Sequence, residues 1–538
     1  MLMPRQEGPV NNMIAQLLAI AFLVGTLGLL ALVVAITRGQ FKDLAQGASL
    51  PFASGERGWT EDPVAGPRLQ TVVGAGGEPP DPEELATRQA ADRSTHVPVV
   101  AFMYSAVFWL VVGSVFGLLT SLKFHWPDMM SGSAAGTFGR LRPLHLNTVA
   151  YGWLSMAGMG VAIWLLPRLL KTPLRGANWA TAGAVVWNIG MLTATSALFV
   201  GWTDGLEWLE YPWQLDGFFV VGGALAAVPL FLMLPHRKVK HLYVSALYII
   251  GALTWFPILF TVANWPDLHF GVEHALVNWW FAHNVLGLWF TPMALAAAYY
   301  LIPKIVGRPI YSYGLSLLGF WSLALFYSQV GVHHLIGGPV PTWVVTLSIV
   351  TSVSMIIPVI AVAVNHHLTV LGRFRALRHS PVLRFIVAGA MMYTLASLQG
   401  SAHSLRGLNT LTHFTHYTIA HAHLGAYGFA SLVFFGAAYF LLPRVTGREW
   451  PSRGLVDVHF GLVMVGFLVY FVTLSIGGLL QGSAMLDADT PFMESVRVAA
   501  PWLWGRSLGG TLMTLGHFVF AGHTLALIFK KPTAAETA

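Results

Sequence analysis

The sequence predicts an all-α integral membrane protein, and three observations carry that expectation. Hydrophobic residues make up 55% of the 538 residues and charged ones only 10%, a balance outside that of soluble domains. The apolar residues fall into runs long enough to cross a hydrocarbon core of about 30 Å as helix. The basic residues sit in short loops between those runs. That pattern is a topology signal; a nucleic-acid partner would call for a solvated basic patch. Helices of this kind pack as one bundle in the lipid bilayer, so length does not count domains.

A first span covers 14–37; it is long and lacks a small-residue cleavage site, as expected of a retained helix. Residues 38–97 are polar, rich in proline and glycine and mixed in charge, with "GEPPDPEELATRQAADR" inside. They read as a solvated linker with a short helix near 82–92. Twelve spans follow near 98–122, 144–166, 178–201, 216–235, 241–265, 274–303, 312–336, 342–368, 383–403, 413–443, 456–480 and 507–530. The expected division is an N-terminal transmembrane helix over 1–55, a polar cytoplasmic linker over 56–97, a twelve-helix bundle over 98–530 and a tail over 531–538.

Every second loop is basic, with Arg168, Lys171 and Arg175, then Arg237, Lys238 and Lys240, then Lys304 and Arg308, and so on to Lys530 and Lys531. Intervening loops carry Asp204, Glu207 and Glu210, then Asp267 and Glu273, then Asp487 and Asp489. The positive-inside rule places the basic loops and the C-terminus in the cytoplasm and the N-terminus outside.

Ionisable groups inside such spans are costly and functional by default. The stretch His413-Phe-Thr-His416-Tyr-Thr-Ile-Ala-His421-Ala-His423 is the densest. Two residues apart on a helix is roughly 200° of rotation. His421 and His423 therefore point to opposite faces and suit two separate planar cofactors; taken alone, such a pair is more often two hydrogen-bonded structural histidines. His145, in "GRLRPLHLNTVAYGW", opens the second core span. His283 lies in "WWFAHNVLGLWFT". Tyr327, His333 and His334 lie in "FYSQVGVHHLIGGPVPTW". With the topology above, all six histidines fall in the outer half of the bilayer. Adjacent histidines at a distorted helix end can share one metal, and His283 would complete a three-imidazole set that suits copper. Tyr327, two turns before His334, faces the same site; a packing aromatic with its hydroxyl on a carbonyl is the alternative. The chain has no cysteine, which excludes disulfides, thiolate metal sites and covalent c-type haem.

These motifs, in this order, resemble the catalytic subunit I of the haem–copper oxygen reductases. "GRLRPLH", "HNVLGLWFT…YYLIPK", "YSYGLS", "YSQVGVHHL" and "HFTHYTIAHAH" are similar to the C family, the cbb-type cytochrome c oxidases, over essentially 98–530. The resemblance implies a twelve-helix haem–copper oxidase bundle in a bacterial inner membrane. It implies His145 and His423 as axial ligands of a low-spin haem b, and His421 as ligand of a high-spin haem b. It implies a copper on His283, His333 and His334, and Tyr327 as the catalytic tyrosine, linked in the family to the histidine equivalent to His283. "GLEWLEYPWQLD" resembles a calcium-holding segment, which would make Glu207 a calcium ligand, with Glu210 as the alternative. His413 and Arg406 would meet haem propionates. Thr291, Tyr299, Ser312, Tyr313 and Ser316 resemble the family's proton path; such hydroxyls also bond their own backbone. Electrons would come from membrane-anchored c-type cytochrome subunits and a soluble cytochrome c or similar donor. The first 55 residues, with "LVVAITRGQFKDLAQGASLPF", resemble the small single-span assembly protein that accompanies these oxidases.

Two positions depart from the family pattern. "SLQGS" places Gln399 where a glutamate is usual, and His416 replaces a usual aspartate. The expected activity is reduction of dioxygen to water coupled to proton translocation. A nitric oxide reductase is the related alternative; it would use iron and a glutamate one turn past the first ligand histidine, where this chain has Gly287. A transporter with a histidine proton relay is the third reading, and it predicts no haem.

Overall fold

The computed structural model describes residues 26, 28–74, 76–266 and 268–530. Among them, twelve helices are long and apolar enough to cross a bilayer. They are α1 (Pro82–Leu122), α2 (Phe138–Leu170), α3 (Ala177–Val200), α4 (Trp213–His236), α5 (Val244–Asn264), α6 (Val272–Val306), α7 (Tyr313–Leu335), α8 (Thr342–Val370), α9 (Pro381–His403), α10 (His416–Thr446), α11 (Arg453–Leu486) and α12 (Phe492–Phe529). Each overlaps one expected span. Most of the expected first span lies outside the described residues, and its end is an apolar helix over Gly28–Thr37. The 531–538 tail also lies outside them.

Two helices start about four turns earlier than expected. Asp81 caps α1, its carboxylate accepting from the Glu83 and Glu84 amides at 2.9 and 3.3 Å, with Pro82 pre-set for the first turn. Pro98 therefore lies inside α1 and does not begin it. α12 starts after Pro491, about one and a half membrane half-thicknesses before the expected 507 at roughly 1.5 Å per residue.

The bundle has a centre. In α2, α6 and α10, 94%, 89% and 83% of the most apolar stretch is buried, against 39–56% in the other nine spans. Apolar faces can lie against lipid, so the enclosure of these three marks the middle of the bundle. These three helices carry His145, His283, His421 and His423.

The segment expected as a solvated linker is instead packed onto the basic end of the bundle. Its Phe52, Leu69 and Val73 are buried, and Gln40 bonds the backbone of Lys240 and Leu242. Its acids explain why. Glu56 is 1% exposed and pairs with Arg88 at 2.8 Å and with the fully buried Lys304. Glu61 reaches Arg444 at 2.9 Å and Lys304 at 3.1 Å. Arg168 pairs with Asp92 at 2.6 Å. Burial pushes the Glu61 carboxyl up, but Arg444, Lys304 and Arg168 outweigh it and hold it well below the usual carboxylate range. Asp62 is the reverse case: burial raises it, beyond what the Ser380 hydroxyl and two backbone amides recover. Composition alone reads these charges as solvent-facing because partners such as Lys304 and Arg444 lie hundreds of residues away.

Candidate metal centre

Each central helix changes its winding just after a site histidine. The wide, π-type turns cover Thr148–Leu154 in α2, Leu286–Phe290 in α6 and Leu424–Ser431 in α10. They follow His145, His283 and His423. Such turns are rare and gather at functional sites. Here they are joined to each other. Ser155 and Ser431 close two of them by bonding the Ala150 and Ala426 carbonyls. Those same hydroxyls accept the indole N–H of Trp289 and Trp153, each at 2.9 Å. The α7 end is distorted in the other sense: Tyr327–Leu335 winds as a tight 3-10 helix. That winding brings both His333 and His334 to one place.

His283, His333 and His334 place one ring nitrogen each within 4.8 Å of one another. The His333 Nδ1 lies 2.9 Å from the Ser352 hydroxyl, leaving Nε2 as its donor atom. Trp279 stacks on His334 with ring centres 4.4 Å apart. The His283 Nδ1 is buried without a partner. Three imidazoles with an orphaned nitrogen fit a copper-type donor set. The Tyr327 ring lies 5.2 Å from that of His283. It occupies the space beside Gly287, where a Cβ would stand 1.7 Å from the phenol carbon.

His145 and His423 face each other with planes 8° apart and centres 6.3 Å apart. Their Nδ1 atoms are committed to the Gly113 and Ile419 carbonyls at 2.8 and 2.9 Å. A metal–imidazole bond of about 2.0 Å and roughly 1.1 Å from nitrogen to ring centre on each side would put two ligand rings about 6.2 Å apart. The pair therefore fits one six-coordinate iron. Gly117 makes the approach possible, since a Cβ there would be 2.6 Å from the His145 Nδ1. His421 points elsewhere, as the two-residue spacing requires: its Nδ1 lies 3.1 Å from Gln399 Oε1. All six histidines line one cavity of about 440 Å³.

The other candidates divide. Thr291 lines the cavity. Tyr299, Ser312 and Ser316 are brought together by a residue that the hydroxyl pattern missed: the Asn365 amide bonds Ser316 at 3.0 Å and Tyr299 at 3.5 Å and accepts from the Ser312 amide. Tyr313 turns aside to the Leu242 carbonyl. Glu207 lines the cavity rim and pairs with Arg142. Glu210 is buried beside it; burial and then Glu207 push its carboxyl up to about 8. Arg406 is not brought to the cavity: it is exposed and bonds Thr346. His413 does not line it either and stacks on Phe414. Arg506 does reach the cavity. It is 8% exposed, sits over Phe124, and keeps Nε and Nη1 without partners. An arginine within an apolar helix is itself a signal; the expected start of that span at 507 hid it.

A family model described as Cytochrome C and Quinol oxidase polypeptide I matches residues 97–512. The Cbb3-type cytochrome c oxidase subunit CcoN1 of Stutzerimonas stutzeri is 32% identical over 439 residues, 79% of this chain and 93% of that protein. A nitric oxide reductase chain of the same organism is more distant, 26% identical over 450 residues, 76% of this chain and 90% of that one. The fold is shared with a heme-copper terminal oxidase dimer solved by cryo-electron microscopy. That match has a TM-score of 0.67 at 17% identity and covers 82% of this chain and 85% of the other. With the histidine geometry above, these likenesses mean that the chain belongs to the cytochrome c and quinol oxidase polypeptide I family.

Proposed function

We propose that the chain is the catalytic subunit of a membrane-bound terminal oxidase that reduces dioxygen to water with electrons from cytochrome c, coupled to proton translocation. The observation that carries this is Tyr327 packed on Gly287 beside the three-histidine cluster. His145 and His423 would hold a low-spin haem b, His421 a high-spin haem b, and His283, His333 and His334 a copper. When bound, these groups bind dioxygen and deliver electrons to it. Four electrons are needed to cleave dioxygen in one step, and the Tyr327 phenol offers one electron and one proton within the same cavity. Its ring also adjoins His283, which supports the family's tyrosine–histidine link here.

The remaining roles belong to the chain's own polar groups. Ser312, Asn365, Ser316 and Tyr299 form a hydrogen-bonded line from the basic end toward the cavity, and Thr291 stands at the cavity wall. Arg506 and Arg142 would meet haem carboxylates in place of Arg406. Glu207 would take a calcium ion through the carboxylate oxygen that its pair with Arg142 leaves open. We read the basic end as cytoplasmic, with the C-terminus there and the N-terminus outside. Without cysteine, the chain carries no covalent haem, so the electrons would arrive from membrane-anchored c-type cytochrome subunits. Residues 1–55 would be a fused assembly-protein-like unit.

The nitric oxide reductase reading needs a carboxylate one turn past His283. Gly287 is there, and Tyr327 fills the space a side chain would use. Metal analysis with reduced and carbon-monoxide difference spectra tests the proposal. Two haems b, one copper and dioxygen uptake are expected. Non-haem iron with faster consumption of nitric oxide than of dioxygen would transfer the assignment to the reductase.

A further inference from the structure

The histidines expected to hold haem iron do not share one kind of hydrogen-bond acceptor. His145 and His423 each give Nδ1–H to a backbone carbonyl. His421 meets a side chain, Gln399 Oε1 at 3.1 Å. An imidazole that binds a metal through Nε2 carries its remaining proton on Nδ1, so the amide oxygen, not the NH2, must face it. The approach is built into α9. Gly400 follows Gln399, and a Cβ there would meet the His421 ring at 3.1 Å. The helix therefore lies close against the ring and offers an acceptor from residue 399. His403, one turn further along α9, stands edge-on to His421 with ring centres 5.7 Å apart; its own Nε2 has no partner.

The nature of the acceptor sets how strongly the ring binds. A carboxylate draws the Nδ1 proton and gives the ring imidazolate character; charge-assisted bonds are roughly twice as strong as neutral ones. A neutral amide fixes the ring without that push.

We propose that Gln399 is the positioning residue for the His421 ligand: its neutral amide fixes the ring through Nδ1–H and keeps the imidazole a weak donor, which holds the bound iron at a higher reduction potential than a carboxylate would. The inference rests on His421 being the ligand of the high-spin haem.

The test uses the full, haem-loaded chain with Q399E, Q399L and Q399N. Resonance Raman of the ferrous high-spin haem reads the iron–histidine stretch, and a spectroelectrochemical titration reads its midpoint potential. Q399E raises the stretching frequency and lowers the potential. Q399L and Q399N, which remove the acceptor or pull it out of reach, lower and broaden the band without that drop in potential. The low-spin haem, held by rings with backbone acceptors, stays unchanged in all three. An unmoved band in Q399L and Q399N overturns the proposal, and so does an unmoved potential in a haem-loaded Q399E. If Q399E loses haem, the other two variants still decide. Failure of the oxidase reading looks different: the unmutated chain then shows no high-spin haem.

Discussion

Replacing Gly287 with alanine puts a methyl group where the Tyr327 ring lies, since the two would be 1.7 Å apart. The phenol must swing away from His283. G287A is therefore expected to lose dioxygen reduction while keeping the low-spin haem, which depends on His145 and His423 on other helices. Y327F keeps the ring and removes the hydroxyl. Its turnover should fall by roughly 100-fold or more, the scale of losing a group that transfers a proton in the reaction, with both haem spectra intact; oxygen uptake by the purified protein checks both variants. A Y327F chain with normal uptake would remove the phenol from the proposed chemistry. These residues were legible in the sequence because titratable side chains are so scarce in apolar spans that each stands out. Gln399 was visible only as a departure from a pattern. Its contact with His421 depends on how closely α9 and α10 approach, which spacing along one helix does not encode.

At the level of elements, the three wide turns behave as one unit. Trp153 of α2 bonds Ser431 of α10, and Trp289 of α6 bonds Ser155 of α2. Each serine serves twice, closing its own turn and receiving an indole. S431A strands the buried Trp153 N–H, at a cost of about 1–3 kcal/mol. The expected result is a lower midpoint of thermal unfolding together with a shifted spectrum of the low-spin haem, because His423 directly precedes that turn. An unshifted spectrum would separate the turn from the ligand. The helices themselves could be read from hydropathy within a few residues at most ends. The wide turns could not: they move a hydrogen bond by one residue and leave composition untouched.

Over the whole molecule, the segment around 40–81 is bound to the bundle by charge. Glu56 and Lys304 are both almost fully enclosed, so E56Q leaves a buried cation short of one of its two carboxylates. Removing one member of such a pair costs about 3–5 kcal/mol, and E56Q should unfold at a clearly lower temperature than E78Q, a control in the same segment. Burial raises the Glu56 carboxyl, but Arg88 and Lys304 bring it below its ordinary value, and Glu61 lies lower still. A carboxyl held low in the folded state contributes fully above its unfolded value of about 4.3 and loses that contribution as pH falls through the folded one. The contribution of Glu56 and Glu61 to docking should therefore be constant across neutral pH and be lost only in acid, below about pH 4. Composition missed this docking because proline, glycine and mixed charge look the same in a solvated linker and in a segment whose charges are matched by distant helix ends.

Those distances have a consequence for synthesis. Glu61 meets Arg444 across 383 residues, and Glu56 meets Lys304 across 248. At about 5–20 residues per second, the ribosome needs roughly 20–80 s to deliver Arg444 after Glu61 has emerged. Throughout that interval the segment has left the ribosome but has no complete seat. Nascent chains arrested before Lys304 should be cut by trypsin at Arg57 and Arg68, chains arrested between Lys304 and Arg444 should be partly shielded, and those extended past Arg448 should resist. A segment made early is thus among the last to settle.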